Sequence, residues 1–307
     1  MHYIGSFGKV QLRNNPLLMK ETLSVLNVKI INGCNLSCSG CSHLSQYASP
    51  DSLINLDTLL NDLKEFDKKI TITHHISLLG GEPLLESQWS EFLTEVENLF
   101  LKKCQVRIYT NGLLIHRNID KIIMHMKRGT KFRCSLHELP HTPKGKLIIN
   151  NTKLLKEEAL KQGLPISDML DQPDPWNIPN YIAYSINYLE LWKNSMIEKE
   201  GKVYPHNSKD AEGSYKFGCT CPNTQLYKGR LYKCAQTAYV KDILKTTDQL
   251  NSEEWKPYLK YDGESLDGDL NKFCKTQYEP SWFCTQCPNF NNSKPRAQEP
   301  KTLKRKI

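Results

Sequence analysis

Residues 26–41 read LNVKIINGCNLSCSGC, which joins a strand pattern to three closely spaced cysteines. Apolar side chains alternate at Leu26, Val28 and Ile30, as they do in a strand with one buried face. The dipeptide Asn32-Gly33 then breaks the alternation. The sequence therefore predicts that the cysteines follow a strand directly and lie in a loop at its carboxyl end.

Cys34, Cys38 and Cys41 are the first group of candidate metal ligands. A cubane [4Fe-4S] cluster needs four ligands, so three thiolates leave one iron open to a substrate or cofactor. Zinc is the alternative, but structural zinc sites use paired cysteine knuckles, and here only His43 is nearby. Stable disulfides are the least favoured interpretation, because residues 1–19 lack the pattern of a secretory signal.

Length and charge limit the possible classes of protein. At 307 residues the chain predicts two units, or one barrel with an appendage. No apolar run approaches the roughly 18 residues that cross a bilayer, so we expect a cytoplasmic protein without a membrane partner. The net charge is +8, but the tail from Lys294 onward holds six basic residues against one Glu. Nucleic-acid binding is therefore disfavoured.

Helical and strand periodicities alternate through the first half of the chain. Helical spacing marks residues 56–66, 89–100, 119–126 and 154–160, with Ser87 predicted to cap the second helix and Gly163 to end the last. Alternating apolar residues or short apolar runs mark strands at 76–79, 104–108 and 132–136. Strands that alternate with helices predict an α/β fold with a parallel sheet, whose functional loops meet at the carboxyl ends of the strands.

The spacing Cys-x3-Cys-x2-Cys and the run Gly80-Gly81-Glu82-Pro83, which follows the second strand, resemble the two signatures of the radical S-adenosylmethionine (SAM) superfamily. The resemblance implies a partial (β/α)6 TIM-like barrel with a [4Fe-4S] cluster on the three cysteines. It also implies that SAM chelates the open iron and that the glycine run binds the SAM amino group.

The same resemblance suggests further SAM contacts. It places Gly80, Gly81, Glu82 and Asn111 at the cofactor, together with Ser135 or His137. For Ser135 and His137 the alternative is a pair of polar residues on the less buried face of a strand. Many members also carry an aromatic residue just before the third cysteine, where this chain has Gly40. Leu44 or Tyr47 is the substitute contact for adenine that the sequence offers.

A second group of cysteines lies in the last third of the chain. Residues 226–234 predict a hairpin that turns at Lys228-Gly229, flanked by thiols on both sides. The candidate ligands of a closed four-ligand site are Cys219, Cys221, Cys234, Cys284 and Cys287. By spacing alone, zinc and iron-sulfur are both open. Cys104 and Cys134 are predicted to be buried thiols, and Cys274 is either a buried thiol or a spare ligand.

This arrangement resembles the SPASM and twitch extensions of radical SAM enzymes, which bind auxiliary [4Fe-4S] clusters, and the single-cluster twitch type is the closer match. Either Cys219 or Cys221 is the first ligand. We therefore expect four parts: an N-terminal segment (1–23), a radical SAM core (24–200), a small cysteine-rich extension with a β-hairpin (201–292) and a basic tail (293–307).

The resemblance implies an enzyme that cleaves SAM to a 5'-deoxyadenosyl radical and abstracts hydrogen from a small molecule such as a sugar or cyclitol, as an oxidoreductase or epimerase. It implies an external low-potential electron donor of the flavodoxin or ferredoxin type. A radical SAM maturase acting on a peptide or protein is one alternative, and a zinc-stabilised binding module without catalysis is another. No catalytic residue and no particular substrate can be named from the sequence.

Overall fold

A nine-stranded sheet organises the fold. The computed structural model describes residues 20–38, 41–48, 54–138, 141–164, 166–168, 181–184, 196–218 and 223–289. The strands of the large sheet are β1 (Glu21–Ile31), β2 (Ile70–Gly80), β3 (Gln105–Thr110), β4 (Lys131–Leu136), β5 (Ser167–Asp168), β6 (Tyr181–Tyr184), β9 (Thr224–Tyr227), β10 (Arg230–Tyr232) and β11 (Glu264–Ser265). A separate hairpin comprises β7 (Ile197–Lys199) and β8 (Lys202–Tyr204).

Seven α-helices occur in the described part of the chain. They are α1 (Leu56–Lys69), α2 (Trp89–Phe100), α3 (Ile119–Arg128), α4 (Pro143–Lys161), α5 (Ala211–Gly218), α6 (Ala235–Thr246) and α7 (Leu270–Thr276). None of these helices is both long enough and apolar enough to span a bilayer. The predicted helices and strands of the first half are confirmed, but Ser87 does not cap α2. Its hydroxyl donates to Glu86, and Gln88 occupies the N-cap position without a side-chain hydrogen bond.

The strand order is β11-β10-β9-β1-β2-β3-β4-β6-β5. Strands β1 to β6 are parallel, which confirms the predicted α/β class. The last two parallel strands are exchanged in space, because β6 rather than β5 pairs with β4. Among the described residues β5 and β11 are the free edges, so the sheet is open and no closed barrel forms.

One face of the sheet is apolar and packs against helices. Leu26, Val28 and Ile30 of β1 lie in a single buried cluster with Leu63 and Phe66 of α1. Apolar residues of α2, α3, α4 and α7 complete the cluster. The alternation in the sequence therefore marks the helix-covered face, where burial of apolar surface stabilises the βα units.

The opposite face, which we call the inner face, is polar yet equally buried. Its residues occupy the alternate positions of the strands, and all are less than a tenth exposed: Asn27, Lys29, His75, Ser77, Arg107, Arg133 and Gln225. The strand register places Asn27 beside Ser77 and Ser77 beside Arg107. Buried polar groups are costly unless they are hydrogen-bonded, so a face of this composition indicates a site rather than a packing surface.

The C-terminal hairpin extends the sheet of the core. Strand β9 pairs with β1 in parallel, with Leu26 opposite Thr224, and β10 returns antiparallel to β9. Lys228 and Gly229 form the predicted two-residue turn, with φ values of 51° and 71°. Two positive φ angles in succession define the type I′ turn that suits the twist of paired strands. The hairpin is thus continuous with the core.

The predicted domain boundary at residue 200 falls inside a second hairpin. Strands β7 and β8 pair across Glu200 and Gly201, both of which have positive φ. Met196 and Val203, on either side of this turn, are buried in one apolar cluster with Trp255. The C-terminal packing unit therefore includes residues on both sides of position 200.

A buried ionic network joins α2, α3 and the start of β4. The carboxylate of Glu97 accepts from His125 Nδ1 at 2.8 Å and from the hydroxyl of Thr130 at 2.6 Å. Arg128 Nε lies 2.7 Å from the second carboxylate oxygen. His125 Nε2 contacts the hydroxyl of Ser90 at 2.9 Å. Removing Glu97 would leave the buried donors of His125 and Thr130 without their acceptor, and an unsatisfied buried donor costs about 1–3 kcal/mol.

We therefore expect Glu97→Ala to lower the free energy of unfolding by about 2–4 kcal/mol, because two buried donors lose their acceptor. The matched control is Glu95→Ala on the exposed side of the same helix, for which we expect a change of about 0.5 kcal/mol or less. Urea unfolding followed by circular dichroism measures both variants. Equal effects would contradict the assigned role of Glu97.

Candidate functional site

The first three cysteines lie where the sequence predicts, at the carboxyl end of β1. We call residues 32–48, of which 39 and 40 lie outside the described residues, the cysteine loop. Cys34, Cys38 and Cys41 are all half-buried, and the Cys41 amide donates to the Cys38 carbonyl at 3.3 Å. The sulfur of Cys34 accepts from the amide of Leu36 at 3.4 Å.

The glycine pair after β2 holds the start of this loop by direct backbone contact. The amide of Gly81 donates to the carbonyl of Ile31, and the amide of Glu82 donates to the carbonyl of Gly33, each at 2.9 Å. A Cβ on Gly80 would lie 2.4 Å from the Ile31 oxygen, and one on Gly81 would lie 1.9 Å from the Gly33 oxygen. Positions 80 and 81 must therefore be glycine because a Cβ at either would collide with the backbone of this chain, whether or not a ligand is bound.

Glu82 is fully buried and links the ends of β2 and β3. Its carboxylate accepts from the hydroxyl of Thr110 at 2.6 Å and from the amides of Asn111 and Leu84 at 2.7 and 3.0 Å. Burial raises the pKa of Glu82 to about 7, although these three hydrogen bonds favour the carboxylate. Both oxygens are occupied by protein donors, and the predicted contact of Glu82 with the cofactor stays a prediction.

Asn111 connects the end of β3 to the cysteine loop. Its side-chain amide donates to Asn35 Oδ1 at 2.7 Å and lies 3.7 Å from the sulfur of Cys34. Its side-chain oxygen accepts from the amide of Leu113 at 3.1 Å. Asn111, which the sequence predicts to contact SAM, therefore lies beside Cys34. The carboxylate of Glu82 holds the backbone of Asn111 by accepting from its amide.

Ser135 and His137 are both half-buried, one within β4 and the other just after it. Because Thr110 pairs with Cys134, Ser135 stands level with Asn111 on the neighbouring strand. The two predicted residues therefore flank the same end of the sheet as the cysteine loop. Their contact with SAM stays a prediction.

The donor set of the cysteine loop fits an iron-sulfur cluster. Three thiols occur within eight residues, and two N–H groups approach the sulfur of Cys34, as thiolate ligands of clusters require. Burial raises the pKa of Cys34 to about 12, so a neutral thiol is favoured until a metal binds. In the described part of the chain no three Cys, His, Asp or Glu side chains already form a metal-binding group, so the sulfurs must turn towards a common point.

The end of the cysteine loop is covered by the C-terminal part of the chain. Leu44 and Tyr47 are buried in an apolar cluster with Val240 of α6, and the Tyr47 hydroxyl donates to Glu198 at 3.0 Å. Both side chains therefore have protein neighbours already, and their contact with adenine stays a prediction. The ring of His43 lies 5.5 Å from that of Tyr239, also on α6.

Lys29 is a residue of this region that the strand pattern did not single out. It is 2 % exposed, and its ammonium lies 4.1 Å from the centre of the Tyr239 ring. Alternation assigned Lys29 to the face away from the apolar core, where a lysine is ordinarily solvated. The signal that the sequence offered was a lysine only three positions before the cysteine loop, within an otherwise apolar strand.

The later cysteines that the structure describes are Cys234, Cys284 and Cys287. Cys234 stands at the N-cap of α6, and Cys284 begins the turn that ends at Cys287, whose amide donates to the Cys284 carbonyl at 3.0 Å. The pKa of Lys233 is lowered by burial, and Cys284 and Cys234 are among the groups that oppose this shift. The ammonium of Lys233 donates to the Ser281 hydroxyl at 2.9 Å, and the Ser281 amide donates to the Cys284 sulfur at 3.4 Å, so Lys233 connects the segment of Cys234 to that of Cys284.

The fourth candidate ligand follows α5. The hydroxyl of Ser214 in this helix donates to the Cys287 carbonyl at 3.1 Å, and α5 packs on residues 282–286. Cys219 and Cys221, which come directly after α5, lie outside the described residues. Cys134 is buried in the apolar cluster, and Cys104 and Cys274 pack against it, so these three behave as core thiols.

We expect Gly81→Ala to destabilise the protein by about 1–3 kcal/mol, because its Cβ would collide with backbone that cannot move aside. The matched control is Gly33→Ala, since a Cβ at Gly33 meets nothing within 4 Å. Thermal unfolding of the metal-free proteins measures the difference. A Gly33→Ala variant as unstable as Gly81→Ala would contradict the steric explanation.

Comparison with known proteins identifies the domain that contains the first site. Residues 28–157 match the family described as the radical SAM superfamily. The 7-carboxy-7-deazaguanine synthase of Aquifex aeolicus (strain VF5) is 27% identical over 153 residues, which cover 47% of this chain and 66% of that protein. A probable GTP 3',8-cyclase of Methanococcus aeolicus is 27% identical over 154 residues, covering 48% of this chain and 49% of that protein.

The chain thus spans about half to two thirds of the length of these relatives. Among solved structures, BtrN in complex with AdoMet and 2-DOIA aligns over 92% of this chain and 98% of its own, with 17% identity and a TM-score of 0.45. That similarity is too distant to bear on function. The matched region contains the three cysteines, the glycine pair and Asn111, so residues 28–157 of this chain form a radical SAM domain.

Proposed function

We propose that the protein is a radical SAM enzyme that abstracts hydrogen from a small molecule of the sugar or cyclitol type, as an oxidoreductase or epimerase. The observation that carries this proposal is the link between Cys34, Asn111 and the glycine pair at one end of a parallel sheet. When bound at Cys34, Cys38 and Cys41, a [4Fe-4S] cluster supplies the electron that cleaves SAM to methionine and a 5'-deoxyadenosyl radical.

In this proposal each residue of the site has a distinct task. The three cysteines bind the cluster, and the backbone of Gly80 and Gly81 receives the SAM amino group. Asn111, with Ser135 or His137, contacts the rest of SAM, and Glu82 positions Asn111 by accepting from its amide. The buried inner face keeps water from the reacting atoms. An external flavodoxin or ferredoxin-type donor supplies electrons, and a cytoplasmic location is consistent with that requirement.

A second [4Fe-4S] cluster of the twitch type is proposed for the extension. Cys234, Cys284 and Cys287 are three of its ligands, and Cys219 or Cys221 is the fourth. The connection that Lys233 makes between the segments of Cys234 and Cys284 supports one shared site, and so does the packing of α5 on the segment that contains Cys284. The proposed core and extension are continuous through the pairing of β9 with β1.

A small-molecule substrate is favoured over a peptide. Helix α6 covers the inner face beside β1, because Tyr239 donates to Gln225 at 2.8 Å and lies over Lys29. A cavity of about 430 Å³, within the range of small-molecule sites, lies between Lys29 and this helix. The names of the two relatives also denote reactions of small molecules. A peptide-modifying maturase remains the alternative that a substrate screen would distinguish.

We expect the reconstituted protein, reduced with dithionite under anaerobic conditions, to form 5'-deoxyadenosine from SAM. Replacing Cys34, Cys38 and Cys41 together by Ala should abolish that product, because the cluster loses its ligands. Cys104→Ala, which alters a core thiol away from the site, is the control and should retain the activity. Liquid chromatography measures 5'-deoxyadenosine, and continued cleavage by the triple variant would refute the assignment.

Metal analysis of the same triple variant tests the second cluster. We expect about four irons and four sulfides to remain per chain, which is the content of one cubane cluster. Further replacement of Cys284 and Cys287 by Ala should remove them. Zinc in place of iron in the triple variant would contradict an auxiliary cluster and support a structural metal site.

A further inference from the structure

The cavity beside the cysteine loop has an unusual electrostatic composition. It lies between the end of β1, the end of the cysteine loop, the β9–β10 turn and α6. Its lining comprises Lys29, Asn32, Ala48, Lys228, Tyr239, Asp242, Ile243, Lys245 and Thr246. Three lysines thus face one carboxylate, and the cavity wall has a net positive charge.

The single carboxylate of the wall is already neutralised. Asp242 accepts two hydrogen bonds from Lys228 Nζ, at 2.7 and 2.8 Å, and a third from the hydroxyl of Tyr227. Lys245 is exposed at the rim. The deepest positive charge, that of Lys29, therefore has no carboxylate bound to it among the described residues.

Lys29 is buried at a cost that packing alone does not explain. Its ammonium lies over the face of Tyr239, a contact that offsets only part of the lost hydration. Burial lowers the pKa of Lys29 to about 8, against the opposing influence of Cys41 and Asp242, so the group is mostly charged at neutral pH. Methionine would fill the same volume without this cost.

The position of Lys29 connects the cavity to the proposed radical chemistry. The lysine points from the inner face of β1, two residues before Ile31, whose carbonyl accepts from Gly81. Cys41 is among the groups that act on its charge. A ligand held by Lys29 would consequently be next to the cysteine loop.

We propose that the substrate carries a phosphate or carboxylate group and that this anion binds the ammonium of Lys29 in the cavity between β1, the β9–β10 turn and α6. The inference rests on the proposed function, because it names the chemical class of that enzyme's substrate. Within the sugar and cyclitol class it selects phosphorylated or acidic members over neutral ones. A buried cation without a carboxylate partner favours such a ligand, since charge pairing in a desolvated site is strong.

The binding experiment uses the full-length, anaerobically reconstituted protein and calorimetric titration. The probes are glucose, glucose 6-phosphate, glucuronate and inorganic phosphate. We expect the anionic probes to bind at least tenfold more tightly than glucose. Lys29→Met should weaken anion binding at least tenfold, because it removes the charge and keeps the volume. Lys156→Met, on the exposed side of α4, is the matched control and should bind like the wild type.

Stability and SAM affinity separate this role from two others. If the ammonium serves a ligand, Lys29→Met should melt at the same temperature as the wild type or higher. If the lysine serves only the fold, Lys29→Met should melt at a lower temperature than the wild type. SAM should bind the variant within about threefold of its wild-type affinity. If Lys29→Met does not fold, Lys29→Gln keeps a polar side chain without charge and replaces it in the same titration.

Three results would overturn the proposal. They are anions that bind the wild type no better than glucose, anion binding that Lys29→Met leaves unchanged, and a loss of SAM affinity that assigns Lys29 to the SAM site instead. A failure of the proposed function is distinguishable from these. It would appear as absent 5'-deoxyadenosine formation by the wild type, while the charge-dependent binding of phosphate at Lys29 persists.

Discussion

The contact between Gly81 and Gly33 is the constraint on which the arrangement of the site depends. Two backbone hydrogen bonds join the segment after β2 to the start of the cysteine loop, and the backbones approach so closely that neither Gly80 nor Gly81 has room for a Cβ. Glu82 extends this contact to the third strand by accepting from the amide of Asn111. The first three parallel strands therefore share one rigid end, and the cysteines are presented from it.

The sheet has two buried faces of opposite chemistry. Apolar side chains face the helices and supply the folding free energy through the hydrophobic effect. Polar and cationic side chains face the interior, where α6 and the C-terminal hairpin cover them at the β1 edge. Burial of the second face costs stability, as is common at sites that bind ligands. The C-terminal part of the chain thus buries the inner face beside β1.

Much of the core could be predicted because its signals are local. Periodicity identified the helices and strands of the first half, and the turn at Lys228-Gly229 followed from its residue types. The hairpin that spans residue 200 could not be found in this way, because it is recognised only by the pairing of β7 with β8 and by the shared burial of Met196 and Val203. The position of β6 between β4 and β5 likewise depends on long-range pairing, which the sequence of such short strands does not determine.

The sequence by itself determined the α/β class, the three-cysteine motif and the glycine pair, since each depends on spacing along the chain. Only the tertiary structure decided why the glycines are needed and which residues touch the cysteine loop. It also decided that the β9–β10 hairpin pairs with β1 and that Lys29 is buried rather than solvated. The physical reason is that alternation reports which face of a strand a residue occupies, whereas burial of that face depends on what packs over it, and here that is a helix about two hundred residues away.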